Sequence, residues 1–99
     1  MMPRTSAEFP ELRRAFTAYL HEDFSVEHGT PARALQAFLT DADPSERSRF
    51  LVEVKRLIDH LDGLALRDVR ELLAGLGSRW TPSSRKEVIH LLEGVLKAQ

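Results

Sequence analysis

Ninety-nine residues, 42% hydrophobic and 29% charged with a net charge of −1, suit one globular domain that buries a core without staples, and they argue against disorder. The chain has no cysteine, which excludes disulfide frameworks, thiolate metal sites and cysteine nucleophiles together. No run approaches the ~20 apolar residues of a membrane span, and the amino terminus has no signal-peptide core, so the expectation is a cytoplasmic chain forming a single domain over residues 1–99, with 1–7 a flexible tail.

The first helix is expected from Phe9, Leu12, Phe16, Tyr19 and Leu20, with Pro10 in its first turn and its end near His21 to Asp23. A loop over residues 23 to 30 leads to Thr30-Pro31, a capping residue followed by proline, where the missing amide donor costs nothing. The helix that follows turns Ala34, Leu35, Phe38 and Leu39 inward. The same signal recurs at Asp43-Pro44, with Glu46 placed as in a capping box, ahead of the strongest helical pattern in the chain: Phe50, Leu51, Val54, Leu57, Ile58 and Leu61. After the Asp62-Gly63 turn, Leu66, Val69, Leu72, Leu73 and Leu76 predict a fourth helix that stops around Gly75 and Gly77. A loop at 77 to 81 and a third signal, Thr81-Pro82, precede a fifth helix with Val88, Ile89, Leu92, Val95 and Leu96 inward. No segment alternates as a strand does. The expected fold is all-α, a single compact bundle of about five helices.

Charge is segregated along this frame. Residues 21 to 46 hold six carboxylates (Glu22, Asp23, Glu27, Asp41, Asp43 and Glu46) against the single base Arg33, while ten of the fourteen bases follow residue 46. Local potential of this kind governs docking even when net charge is small. The cluster His21, Glu22, Asp23, Glu27 and His28 contains metal-ligating types, but it lacks the i, i+4 histidine spacing of a helical metal site. A solvated or backbone-bonded His21 is the simpler account. His60 and His90 fall near apolar positions and are expected to be partly buried.

No nucleophile and base constellation is evident. Ser45, Ser83 and Ser84 suit helix amino termini, and Gly75-Leu76-Gly77 follows a helix where a phosphate loop would precede one. No catalytic residue, cofactor or metal is therefore expected. Arg47, Arg49, Lys55 and Arg56 do not form a stripe, and Arg49 with Glu53, Lys55 with Asp59 and Arg67 with Glu71 have i, i+4 spacing for ordinary ion pairs. Arg79, Arg85 and Lys86 beside Trp80 are the remaining nucleic-acid candidate, although a tryptophan packed over the end of the bundle explains Trp80 as well. The acidic quarter with Tyr19, Phe24 and Phe38 beside it suits capture of a basic protein surface, where charge speeds encounter and buried rings supply affinity.

Several of these residues, in this order, resemble a known family. Phe9-Pro10-Glu11-Leu12, then Tyr19-Leu20-His21-Glu22-Asp23-Phe24, a loop to Gly29, Ala34-Leu35-x-Ala37-Phe38-Leu39, and later Leu73-x-x-Leu76-Gly77 with Trp80-Thr81-Pro82 are similar to the small immunity proteins of contact-dependent growth inhibition systems. The resemblance spans roughly Phe9 to Leu96 and is tightest in the first third. It departs before the last helix, where Ser83-Ser84-Arg85-Lys86 stands in place of a longer acidic segment with an aromatic. What it implies is a non-catalytic cytoplasmic inhibitor that binds the carboxy-terminal toxin domain of a delivered effector, frequently a nuclease, with no direct contact to nucleic acid or membrane. Glu22, Asp23 and Glu27 would face toxin bases, Asp41 and Asp43 would extend the patch if the intervening turn lies on the same side, and Tyr19 and Phe24 would flank it or fix the loop. A nucleic-acid-binding helical regulator and a structural or adaptor bundle are the alternatives.

Overall fold

The structure is a computed structural model and describes residues 9–21 and 23–98, without the side chain of Phe24. The expected tail at 1–7 and Glu22 lie outside the described residues. Six helices and no strand occur among the described residues: α1 Pro10–Tyr19, α2 Phe24–Glu27, α3 Pro31–Asp41, α4 Pro44–Leu61, α5 Leu66–Gly75 and α6 Arg85–Lys97. The all-α expectation holds. The addition is α2, one helical turn inside the expected loop, where Val26 and Glu27 donate their amides to the Asp23 carbonyl. Four residues carry no periodic pattern, and Val26 faces solvent, so hydrophobic spacing had nothing to reveal.

The apolar faces merge into one core. Leu12, Phe16 and Leu20 meet Leu35, Phe38 and Leu39 of α3, Phe50, Val54, Leu57 and Leu61 of α4, Val69, Leu73 and Leu76 around α5, and Val88, Leu92 and Val95 of α6. Helix α1 packs on α3 and α4, and both of these pack on α6. Trp80 is half-buried against the same core. His60 and His90 differ from expectation, since both are exposed. His60 only edges the ring of Phe9, with centroids 6.2 Å apart.

Local chemistry sets the element ends. Thr30 Oγ1 accepts from the Arg33 amide, and Asp43 with Glu46 forms a full capping box, each cap being worth about 1 kcal/mol. Thr81-Pro82 does not open a helix. Ser84 caps α6 instead, accepting from the Glu87 amide, and Pro82 lies buried in the connection with its carbonyl held by Arg70 Nε at 2.9 Å. After α4, Leu64 donates to the Leu61 carbonyl around Gly63, φ +84°, a type II turn that favours glycine at its third position. After α5, Gly77 donates to Ala74 and Ser78 to Leu73, the two bonds of a Schellman motif with Gly77 left-handed at φ +95°.

Candidate functional site

Tyr19, the last residue of α1, organises the acidic region. Its hydroxyl donates to Asp41 Oδ2 at 2.6 Å, which ties the end of α1 to the end of α3. That bond raises the phenol's pKa, because losing the proton would leave two oxyanions in contact. The Tyr19 ring meets Phe38 edge-on at 5.6 Å and stacks on His28 at 5.9 Å. Phe38 lies in turn against Phe50, so the core supports the ring from behind.

From His28 the chain of contacts runs through α2. His28 Nε2 lies 3.8 Å from Glu27 Oε1, and the same oxygen is 3.1 Å from His21 Nε2. His21 Nδ1 accepts from the Asp23 amide at 3.0 Å. The Nε2–H tautomer of His21 satisfies both of its bonds. A backbone-bonded histidine is thus what the structure holds at this position, and no cluster able to hold a metal ion occurs among the described residues.

The turn between α3 and α4 lies on the same side. Tyr19, Phe38, Asp41, Ala42, Glu46 and Arg14 share a cavity of about 200 Å³. Asp43 sits in that turn, but its carboxylate is engaged in its own cap, with Oδ1 accepting from the Glu46 amide at 2.8 Å. This bond is the chief cause holding Asp43 below the usual carboxylate range. Of the expected site residues, the structure therefore links Tyr19, Glu27 and Asp41 through direct side-chain contacts and His28. Asp23 is exposed beside them, and Asp43 joins only through Glu46. Glu22 and the side chain of Phe24 lie outside the described residues.

Sequence reasoning missed the cation inside this surface. Arg14 donates to Glu46 Oε2 at 2.7 Å and to Glu11 Oε1 at 3.1 Å, and the bond to Glu46 is the main cause of its raised pKa. Glu11 also takes Arg49 Nε at 3.1 Å, so Arg49 crosses to α1 and does not pair with Glu53 along its own helix. Arg67 approaches Asp68, at 3.8 Å, in place of Glu71. Arg47 reaches back to the carbonyls of Leu39 and Ala42 and satisfies the end of α3. The bonds from Arg14 to Glu46, from Arg49 to Glu11 and from Arg47 to the end of α3 cross between helices, so no spacing along one helix announces them.

The basic trio near Trp80 is not one site. Arg79 lines a cleft with Arg13, Lys86 lines a separate one with His90 and Glu93, and Arg85 Nη1 is drawn to the Leu64 carbonyl at 3.3 Å. Among the described residues no helix is long and apolar enough to cross a membrane.

No curated protein and no solved structure matches the chain. A family model described as CdiI immunity protein matches residues 8–95, taking in every helix up to the last turn of α6 and all the stretches on which the resemblance rested. The chain belongs to the CdiI immunity protein family.

Proposed function

We propose that this protein neutralises the carboxy-terminal toxin domain of a contact-dependent inhibition effector by non-catalytic binding in the cytoplasm, and that the toxin is a nuclease. Family membership over residues 8–95 carries the reading. The acidic surface supplies its chemistry, because a nuclease grips phosphates with a basic cleft that an acidic, ring-bearing surface can fill. Tyr19, anchored by Phe38 and Asp41, gives that surface a rigid aromatic centre, and Glu22, Asp23 and Glu27 give it charge. Asp41 and Asp43 extend it along the α3–α4 turn. Phe24 flanks it in the sequence.

The test is co-expression of this chain with the carboxy-terminal domain of an effector whose gene neighbours its own. The parent is expected to protect the cell, and a variant with Glu22, Asp23 and Glu27 changed to lysine is expected to lose protection while its helical circular dichroism stays unchanged. Full protection by the folded variant would overturn the acidic-face version, and failure of the parent to protect would overturn the immunity reading.

A further inference from the structure

A second cleft has the opposite character. It opens between α1 and the connection from α5 to α6, encloses about 640 Å³, and is lined by Arg13, Thr17 and His21 on one side and Gly77, Ser78 and Arg79 on the other. Among the described residues no carboxylate lines it. Arg14, Arg47, Arg49, Arg70 and Arg85 each donate to a protein oxygen, whereas neither Arg13 nor Arg79 makes a side-chain hydrogen bond or ion pair within the described residues. Both are exposed.

The walls are set before any partner arrives. Gly77 packs directly on Thr17, and the Schellman bonds fix the chain on either side of it. Ser78 is buried, with its hydroxyl bonded to both the amide and the carbonyl of Trp80. The Arg79 amide donates to the Leu20 carbonyl at 2.7 Å and sews the connection to the end of α1. A preformed cleft loses little conformational freedom on binding.

We propose that this cleft is a second contact surface for the toxin domain, one that accepts a carboxylate-bearing segment between Arg13 and Arg79. The proposal rests on the immunity reading. Guanidinium forks match carboxylates in charge and geometry. A nucleic-acid strand is the poorer occupant: His21, on the cleft wall, is bonded to Glu27 and to the amide of Asp23, so a run of phosphates leaving the cleft on that side would cross the acidic surface. Because His21 touches both patches, they abut, and a toxin with a basic cleft flanked by an acidic segment docks in one orientation only. Like charges meet in the reverse orientation, which sets register as well as affinity.

The experiment is calorimetric titration of the toxin domain with the parent, with Arg13→Glu/Arg79→Glu and with Arg13→Lys/Arg79→Lys, each checked for an unchanged melting temperature. The expected result is a loss of at least about tenfold in affinity for the glutamate pair and substantial recovery by the lysine pair. Parent-like affinity of the glutamate pair, with the parent binding tightly, overturns the cleft assignment alone. No binding by the parent overturns the immunity reading and this assignment together. A ribo-oligonucleotide that binds the parent and is lost from the glutamate pair also overturns it, by giving the cleft to phosphate.

Discussion

At Gly77 a backbone angle and a steric contact demand the same residue. Its φ of +95° closes the Schellman motif, and a Cβ there would sit 3.3 Å from both Cα and Cβ of Thr17 and closer still to Oγ1. Rotating Thr17 relieves the hydroxyl contact only, because its Cα belongs to the backbone of α1. Gly63 provides a control: it has φ +84° but open space around it. Gly77→Ala is expected to cost more than about 2 kcal/mol and Gly63→Ala about 1 kcal/mol, the latter being the left-handed penalty alone. Urea denaturation of both variants checks this, and equal losses would show that the contact with Thr17 adds nothing. The leucine and glycine pattern here was legible as a helix stop. The demand from Thr17 was not, since it comes from a helix far back in the chain.

Among the elements, α1 starts in an unusual way. Its N-cap, Phe9, offers no side-chain acceptor and Pro10 has no amide, so the free donors of Glu11 and Leu12 go to Glu53 on α4, at 2.9 Å each to Oε1. The stripe of α4 that receives α1 continues with Arg56, 5.5 Å above the Phe9 ring, and His60 at its edge. Periodicity made the apolar face of α4 legible through Phe50, Val54, Leu57 and Leu61. It also suggested Glu53 as a partner for Arg49, because spacing along one helix cannot see another helix needing an acceptor. Burial pushes the Glu53 carboxyl above its ordinary range, with Glu11 nearby adding to this, and the backbone donors only partly offset it. A folded state that holds a proton more tightly than the unfolded one loses stability as pH rises between the ordinary glutamate range and the elevated value. The stability of the parent minus that of Glu53→Gln is therefore expected to fall across that window. A difference that is flat or rising with pH, in parallel urea titrations, would remove Glu53 as the source. Asp43 contributes with the opposite sign: its stabilisation is present above the ordinary aspartate range and lost as pH falls through its lowered value. The Gln variant keeps the Asp43 contribution, so subtraction removes it.

For the whole molecule the question is how two opposed patches act on a body only 34 × 28 × 23 Å. Segregation of charge was plain in the sequence, but the division of labour within it was not. Glu46 is offset by Arg14, whereas Asp41 is bonded to the uncharged Tyr19 hydroxyl and Asp43 to a backbone amide, so both remain, with Asp23 and the His21-bonded Glu27, as carboxylates for long-range attraction. Screening decides how far they reach. The Debye length is about 30 Å at 0.01 M salt, comparable to the molecule, and about 3 Å at 1 M, shorter than a side chain. Changing Glu22, Asp23 and Glu27 to lysine carries the net charge from −1 to strongly positive, so a basic toxin cleft repels the variant over the full molecular dimension only when salt is low. Stopped-flow association with the toxin domain is expected to show the largest parent-to-variant rate ratio at 0.01 M, falling to within about twofold at 1 M. A ratio that holds constant across this range would assign the loss to contacts in the bound complex, and steering by the acidic surface would have to be abandoned.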